Sequence, residues 1–549
     1  MPWRQHWRDR ERFTIFATAW RAAAVTDWVE AWRADPRRPR CLHVIALASG
    51  PLPGFQRVLQ ADGGVTLDLL HAPIDAALSQ LQARIDGVHI EGPIDSANFP
   101  RALARLLARD AVLHAPAIDP ALWQALAATG WIVDPAGVAR FATRKPIAPA
   151  PPPPRRQAIV IGAGLAGAAA CERLCARGWR VILVERHPAP AMEASGNLAG
   201  ITMPLLSKDD NQASRLSRAA FLFARAYWQR LGGVGAGQTI DGAACGVLLA
   251  ARDAAHAALQ RSIAAARALP ADFAAWFEAE PARARFGAVA PHGAWWFQHG
   301  GWIRPASAIA VMLAACGERL QARFGVGDVT LDNDGGDWTV IDGGGAVIAR
   351  ASTVIIASGG AVLAQSAGLP MDRVRGQVTH LAAAAAPELG FVLCREAYLT
   401  PSANGVRSAG ATYDSDDDPA LRQSSQDENL SHMRSMLADP DAGLAPDAPL
   451  AGRVGFRAVA PDRLPMVGAL PDFSFALGAE RLRELPRQPG VYALLGYASR
   501  GLTWAPLAAE LLAASLEGEP LPLEAELVGA LDPGRFLLRA RRIKPAPLR

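Results

Sequence analysis

The sequence predicts two α/β lobes: a small Rossmann-type domain, then a dinucleotide-binding Rossmann-type domain. Three observations predict this. A proline-rich stretch divides the chain near residue 150, a glycine-rich turn links an apolar run to an alanine-rich helix just after it, and strand-like runs alternate with amphipathic stretches on both sides. At 549 residues the chain also exceeds what one hydrophobic core organises.

Along the N-terminal lobe, 1–147, the runs Phe13 to Ala17, Leu42 to Leu47, Val65 to Leu69, Gly87 to Ile90 and Ala111 to His114 read as short strands, giving a small doubly wound domain. Residues 148–156, Ala148-Pro149-Ala150-Pro151-Pro152-Pro153-Pro154-Arg155-Arg156, form a linker, because consecutive prolines lack amide donors and hold an extended geometry. The second lobe spans 157–549. Gln157 to Ile161 is a strand ending directly in Gly162-Ala163-Gly164-Leu165-Ala166-Gly167 and a helix, and a second run, Val181 to Val184, closes on Glu185. Helical patterning covers Arg215 to Leu231, and glycine-rich strands lie around Gly232 to Ala250. Ile303 to Leu320 leads to the strand and turn Ser352 to Gly360, and Val491 to Leu512 again reads strand, turn, helix.

Composition narrows the class. Half the residues are apolar and 20% are charged, which excludes a disordered chain and a fibrous repeat. No apolar run approaches the roughly 20 residues of a membrane helix, and Met1 to Arg8 is too polar for a secretory leader, so a cytoplasmic protein without membrane contact is expected, as a monomer. Six scattered cysteines suggest neither a disulfide framework nor a metal site; Cys171 and Cys175 share a face of a packing helix. The net charge of +4 permits a polyanionic partner without requiring one.

A dinucleotide diphosphate needs converging backbone amides with no side chain in the way, which is why three glycines open the first helix. Gly162 permits the tight turn, Gly164 the phosphate approach, and Gly167 the packing of helix on strand; Leu165 and Ala166 join them at the helix entry. An ordinary tight turn is the plain alternative, and the flanking strand, the helix and Glu185 argue against it. Glu185, followed by Arg186, can accept from both ribose hydroxyls and disfavours a 2′-phosphate. NAD and FAD share this fingerprint, and two segments favour FAD. The polar loop Glu193 to Gly200, with Ser195, Gly196 and Asn197, can run beside a flavin; Arg500-Gly501-Leu502-Thr503 enters a helix whose amides can stabilise charge developing on a reduced flavin. Gly359 closes the set at the end of its strand.

From about Gln157 to Arg542 the chain resembles the glycine oxidase and D-amino acid oxidase superfamily, and more closely the oxidoreductase half of the bifunctional MnmC family of bacterial tRNA modification. The matching stretches include Glu185-Arg186-His187-Pro188, Ala194-Ser195-Gly196-Asn197, Gly301-Trp302-Ile303-Arg304-Pro305, Val374-Arg375-Gly376-Gln377, Tyr398-Leu399-Thr400-Pro401, Gly455-Phe456-Arg457-Ala458 and Ser499-Arg500-Gly501-Leu502-Thr503-Trp504-Ala505-Pro506. The resemblance implies an inserted mixed β-sheet substrate domain of the glycine oxidase kind, with FAD-binding parts at about 157–230, 300–365 and 488–520 and substrate parts at about 232–300 and 366–487, FAD as cofactor, oxygen or another electron acceptor, and tRNA as partner. The implied reaction removes the carboxymethyl group of 5-carboxymethylaminomethyl(-2-thio)uridine at the wobble position as glyoxylate. It further implies carboxylate binding by Arg457 and Arg500 and substrate contact by Tyr398, against the bland reading that these are surface or ion-pairing residues.

In that family the N-terminal domain is an S-adenosylmethionine-dependent methyltransferase. This sequence keeps the methyltransferase-like pattern but departs at its core. Ala17-Thr18-Ala19-Trp20-Arg21-Ala22-Ala23-Ala24 replaces the glycine-rich turn after the first strand, and the second strand ends in Ala46-Leu47-Ala48-Ser49 without an acid. A degenerate domain that does not bind S-adenosylmethionine, surviving as scaffold or tRNA-docking surface, is expected. Arg37, Arg38 and Arg40, Arg155 and Arg156, and Arg535, Arg539, Arg541, Arg542, Lys544 and Arg549 can serve as phosphate contacts or as solvated faces. The acidic run Asp414 to Asp418 reads as a solvated loop. The alternatives are a fully bifunctional enzyme, a small-molecule glycine, sarcosine or D-amino acid oxidase, and a tRNA-binding module with a vestigial flavin site.

Overall fold

The computed structural model describes residues 3–60, 64–133, 138–142, 155–333, 335–437, 450–474 and 479–542. Most of the expected linker, Ala148 to Pro154, lies outside them, as do Lys544 and Arg549. The chain divides into two compact units, Met1–Pro154 with Glu510–Val528, and Arg155–Ala509 with Gly529–Arg549.

The first unit is built on β1 (Arg12–Ala17), β2 (Cys41–Leu47), β3 (Gly54–Leu59), β4 (Val65–His71), β5 (Ile85–His89), β6 (Leu107–His114), β7 (Trp131–Val133) and β8 (Ala139–Phe141). They form one sheet in the order β3-β4-β2-β1-β5-β6-β8-β7. The central five are parallel, while β3 and β8 run against their neighbours β4 and β6. Phe13, Ile15, Leu42 and Val44 enter one apolar cluster, whereas Phe16 and Ile45 enter another. That alternation is the pleat of strands buried on both faces, and it explains why all five parallel strands stood out as apolar runs.

The strand β3 escaped the sequence because its middle is polar. Arg57 on β3 is buried and faces Asp68 on β4 in register, with two contacts of 2.7 Å; Glu510 Oε1 at 3.0 Å and Pro520 O at 2.6 Å complete its shell within the same unit. A guanidinium removed from water is tolerated only when its donors are matched in this way.

In the second unit, Gln157–Ile161 lies at the centre of a six-stranded sheet. Arg180–Val184 and then Leu320–Arg323 flank it on one side; Val354–Ile356, Arg487–Leu495 and Met466–Pro471 flank it on the other. All pair in parallel except the last. A second, eight-stranded mixed sheet includes Val247–Ala250, Tyr398–Leu399, Asp372–Ala382 and Ala451–Val459. Helices Leu165–Cys175 and Gln212–Arg230 and the start of Gly501–Glu517 fall where helical patterning or a strand, turn, helix run was read, and helix Pro305–Ala315 lies within Ile303 to Leu320. Cys171 and Cys175 are buried in the first of them, with the packing role expected.

The acidic run lies in a largely exposed loop, as expected, and it also anchors Arg375, which is fully buried and donates to Asp414 Oδ2 at 3.0 Å, Asp418 O at 2.8 Å and Ala420 O at 2.6 Å. Arg422 joins Asp416 and Asp418 at 2.7 and 2.8 Å. Sequence separation hides this partnership, since the acids and Arg375 meet only across the sheet. No helix among the described residues is long and apolar enough to cross a membrane.

Candidate active site

The glycine turn places backbone where side chains cannot go. Gly162 has φ +106°, and a Cβ there would lie 2.5 Å from Ala357 O. A Cβ on Gly167 would stand 1.8 Å from Gly162 O, so only glycine lets the helix close onto the strand end. Gly164 is the N-cap of helix Leu165–Cys175 and offers no capping side chain, and the first turn holds no acid. Ser195 Oγ takes the Leu165 amide at 3.2 Å. Gly162, Gly164, Leu165 and Ala166 thus present the positive end of the helix dipole to a cavity of about 880 Å³.

Glu185 and Arg186 line the same cavity. Glu185 is buried, and its two oxygens accept the amides of Ala163 at 2.6 Å and His187 at 2.9 Å. Each oxygen keeps a lone pair for a ligand hydroxyl. Ser195 and Asn197 form part of the wall. Their loop is pinned by Arg453, which donates to Met192 O at 2.8 Å, Glu193 O at 2.6 Å and Asn197 Oδ1 at 3.2 Å. Gly196 leaves room for that guanidinium, because a Cβ would fall 2.4 Å from Arg453 Nη2.

Farther along, Gly359, Tyr398, Arg457, Arg500, Gly501 and Leu502 line the cavity. Arg457 sits on strand Ala451–Val459, and its Nη1 reaches Arg375 O at 3.2 Å and Thr412 O at 3.1 Å. Gly376 makes space for it, since a Cβ there would meet Nη1 at 2.2 Å. The turn carrying Arg500 is zipped to the same strand: Val459 bridges Tyr497, and the Ala498 amide donates to Ala458 O at 3.0 Å. Arg500 Nη1 reaches, among the described residues, only Met203 O, at 3.4 Å. Among the described residues neither arginine forms a salt bridge. Burial pushes both guanidinium pKa values down, and an anion is what such cations lack. Burial pushes the Tyr398 phenol up to about 12, against a smaller opposing pull from Arg457, so it stays a neutral hydrogen-bonding group.

The structure therefore gathers the candidate residues around one cavity, except for three behind its wall. Gly167 and Gly196 act through packing, and Thr503 is buried with its amide bonded to Arg500 O at 3.0 Å. Sequence reading missed Arg453, Gly376, Tyr413 and Phe456 as site residues. Gly376 and Phe456 lie within stretches already singled out, whereas Arg453 and Tyr413 carried no local signal. Several arginines offered as phosphate contacts are engaged inside their units: Arg37 with Asp9, Arg40 with Glu517 at 3.2 Å, and the buried Arg535 with Asp462 at 2.9 Å. The side chains of Arg539, Arg541 and Arg542 lie outside the described residues. No cluster of potential metal ligands occurs among the described residues.

Residues 157–515 match the family model described as FAD dependent oxidoreductase. The chain is 40% identical to the "tRNA 5-methylaminomethyl-2-thiouridine biosynthesis bifunctional protein MnmC" of Azoarcus sp. (strain BH72), over 98% of this chain and 92% of that protein. It is 39% identical to the protein of the same description from Burkholderia thailandensis, with the same coverage. Among solved structures, glycine oxidase from Geobacillus kaustophilus shares the fold, with TM-score 0.55 and 20% identity, covering 68% of this chain and 97% of that one. The glycine cradle and the helix N-terminus that opens on the cavity fit the FAD that the family model specifies.

Proposed function

The chain belongs to the FAD-dependent oxidoreductase family and to the MnmC family within it, and from that premise we propose that it removes the carboxymethyl group from 5-carboxymethylaminomethyl(-2-thio)uridine at the wobble position of tRNA. The leaving fragment is glyoxylate and the product is the 5-aminomethyl nucleoside. The observation that carries this reading is the pair of arginines, Arg457 and Arg500, that lack a salt-bridge partner among the described residues and share one cavity with the glycine turn. The substrate group is an N-substituted glycine, so its carboxylate supplies the anion that the guanidiniums lack.

Gly162, Gly164, Leu165 and Ala166 would hold the FAD diphosphate, Glu185 with Arg186 the adenosine end, and Ser195, Asn197, Gly359, Gly501 and Leu502 the flavin end. Bound there, FAD supplies the two-electron acceptor for carbon–nitrogen oxidation. The protein's own task is positioning. Arg457 and Arg500 fix the carboxylate, and Tyr398 adds a neutral phenol beside it. Two positive charges facing one carboxylate leave a net positive field, which lowers the pKa of the substrate ammonium and favours the uncharged amine. No side-chain base is then required. The α-carbon loses two electrons and a proton, the nitrogen loses its own proton, and water adds to the resulting imine to release glyoxylate and the amine.

We further propose that the first unit is a degenerate methyltransferase-like scaffold that binds no S-adenosylmethionine. Support lies at the end of β1, where Arg21 Nε meets Glu91 Oε1 at 3.0 Å and Thr18 Oγ1 meets Glu91 O at 3.1 Å across the switch point of the sheet. The test is nucleoside analysis of tRNA from cells lacking the gene. Accumulated 5-carboxymethylaminomethyl nucleoside is expected. An unchanged wobble uridine, or a purified enzyme that oxidises free glycine or sarcosine but not tRNA, overturns the proposal.

A further inference from the structure

Large apolar side chains left in water at the wall of a cavity ask for an explanation, and Met192, Val362 and Tyr413 are three of them, at 48%, 62% and 56% exposure. Among the exposed large apolar residues described on that wall, Tyr413 alone is aromatic. Its exposure is not that of a loose loop tip. Thr412 before it is buried, its amide bonded to Gln377 O at 3.2 Å and its Oγ1 accepting the Gln377 amide at 3.0 Å. Asp414 after it pairs with Arg375 through two backbone bonds of 2.9 and 3.0 Å. The chain thus holds the ring out on two fixed neighbours.

The same ring touches the carboxylate clamp. The guanidinium carbon of Arg457 lies 5.3 Å from the Tyr413 ring centroid. In the proposed substrate, four bonds separate the carboxylate carbon from pyrimidine C5, a span of about 5 Å for bonds near 1.5 Å. A carboxylate on Arg457 therefore brings the pyrimidine within reach of the phenol ring. Single-stranded bases splayed from RNA are commonly held by stacking on aromatic side chains.

We infer that Tyr413 is the stacking platform for the pyrimidine of the modified wobble nucleoside, a positioning residue that distinguishes a nucleoside-borne glycine from a free one. This rests on the functional reading above and names its base-binding subsite. Arg457 serves both halves of the substrate, its fork on the carboxylate and its charge beside the platform.

The test uses the full-length FAD-loaded enzyme and an anticodon stem-loop bearing 5-carboxymethylaminomethyluridine, with glyoxylate release as the readout. Tyr413→Ala and Tyr413→Leu should each raise KM about tenfold with kcat within about twofold, while Tyr413→Phe stays within about twofold on both. Flavin content and Tm should match the parent in all three. Leucine performing as well as phenylalanine would reduce the role to apolar bulk and overturn the inference, as would an unaffected alanine variant. Should the alanine variant fail to fold, the leucine and phenylalanine pair decides. A parent enzyme that releases no glyoxylate from the stem-loop sinks the functional reading, and the platform falls with it; with a parent that turns over normally, any loss in the variants is a property of Tyr413 alone.

Discussion

Two strands of this protein, β1 in the first unit and Gln157–Ile161 in the second, sit at comparable places in parallel sheets, and their sequels differ in every respect that matters for a nucleotide. After Gln157–Ile161 come three glycines, a helix whose N-cap has no side chain, and Glu185 at the end of the neighbouring strand. After β1 come Thr18, Ala19, Trp20 and Arg21, and the N-cap position is Arg21, whose guanidinium is tied to Glu91. The neighbouring strand β2 ends in Leu47, followed by Ala48 and Ser49. The lesson is that the doubly wound architecture offers a crevice at its switch point in either unit, while occupancy is decided by a handful of side chains. In the first unit an ion pair, Arg21 Nε to Glu91 Oε1 at 3.0 Å, stands after β1 where the second unit has its glycines.

The largest effect expected from testing that contrast is at Gly167. Gly167→Val drives carbon into Gly162 O, where even a Cβ stands 1.8 Å away, and should yield protein without flavin absorbance and about 3 kcal/mol less stable. Trp20→Ala in the turn after β1 should leave flavin content unchanged. Colourless Trp20→Ala, or fully yellow Gly167→Val, would erase the distinction between the two turns. Next in size come the arginines. Arg500→Lys or Arg457→Lys keeps a charge but loses the planar fork, and kcat/KM for the modified tRNA should fall about a hundredfold with FAD retained. An activity within twofold of the parent would remove both from the carboxylate site.

A third measurement addresses the first unit directly. A ligand present at a hundred times its Kd stabilises a fold by about 2.7 kcal/mol, which a melting curve resolves easily. S-adenosylmethionine at millimolar concentration should leave the Tm of the FAD-loaded protein unmoved. A shift of several degrees would show that the Arg21 and Glu91 pair opens, and that the unit is not degenerate.

Much of this contrast was legible in the sequence, for a physical reason. Phosphate approach depends on local backbone freedom, so Gly162, Gly164 and Gly167 announce themselves within six consecutive residues. The same locality exposed the missing turn after β1. Parallel strands buried on both faces were visible as apolar runs, whereas β3 was not, because Arg57 is satisfied by Asp68, Glu510 and Pro520, whose proximity no local pattern encodes. Arg453 and Tyr413 were missed on the same grounds. One pins a loop more than 250 residues away in sequence; the other is defined by an exposure that only the assembled cavity reveals.

The smallest predicted effect concerns Tyr398 and tests whether this end of the cavity in the second unit is as desolvated as the proposed carboxylate site requires. Burial raises the phenol to about 12 from an ordinary value of 10.0. An acid whose folded pKa lies above its unfolded one favours the folded state below the unfolded value and loses that contribution as pH climbs through the folded one. Stability should therefore be level for this group below about pH 10 and decline between there and about pH 12, because the unfolded chain releases the proton first. Tyr398→Phe removes the titrating group, so chemical denaturation across that window should show a shallower decline than in the parent, with the two parallel near neutrality. Identical slopes would mean that Tyr398 meets water freely. Such a phenol could not belong to a pocket dry enough to leave Arg457 and Arg500 wanting an anion.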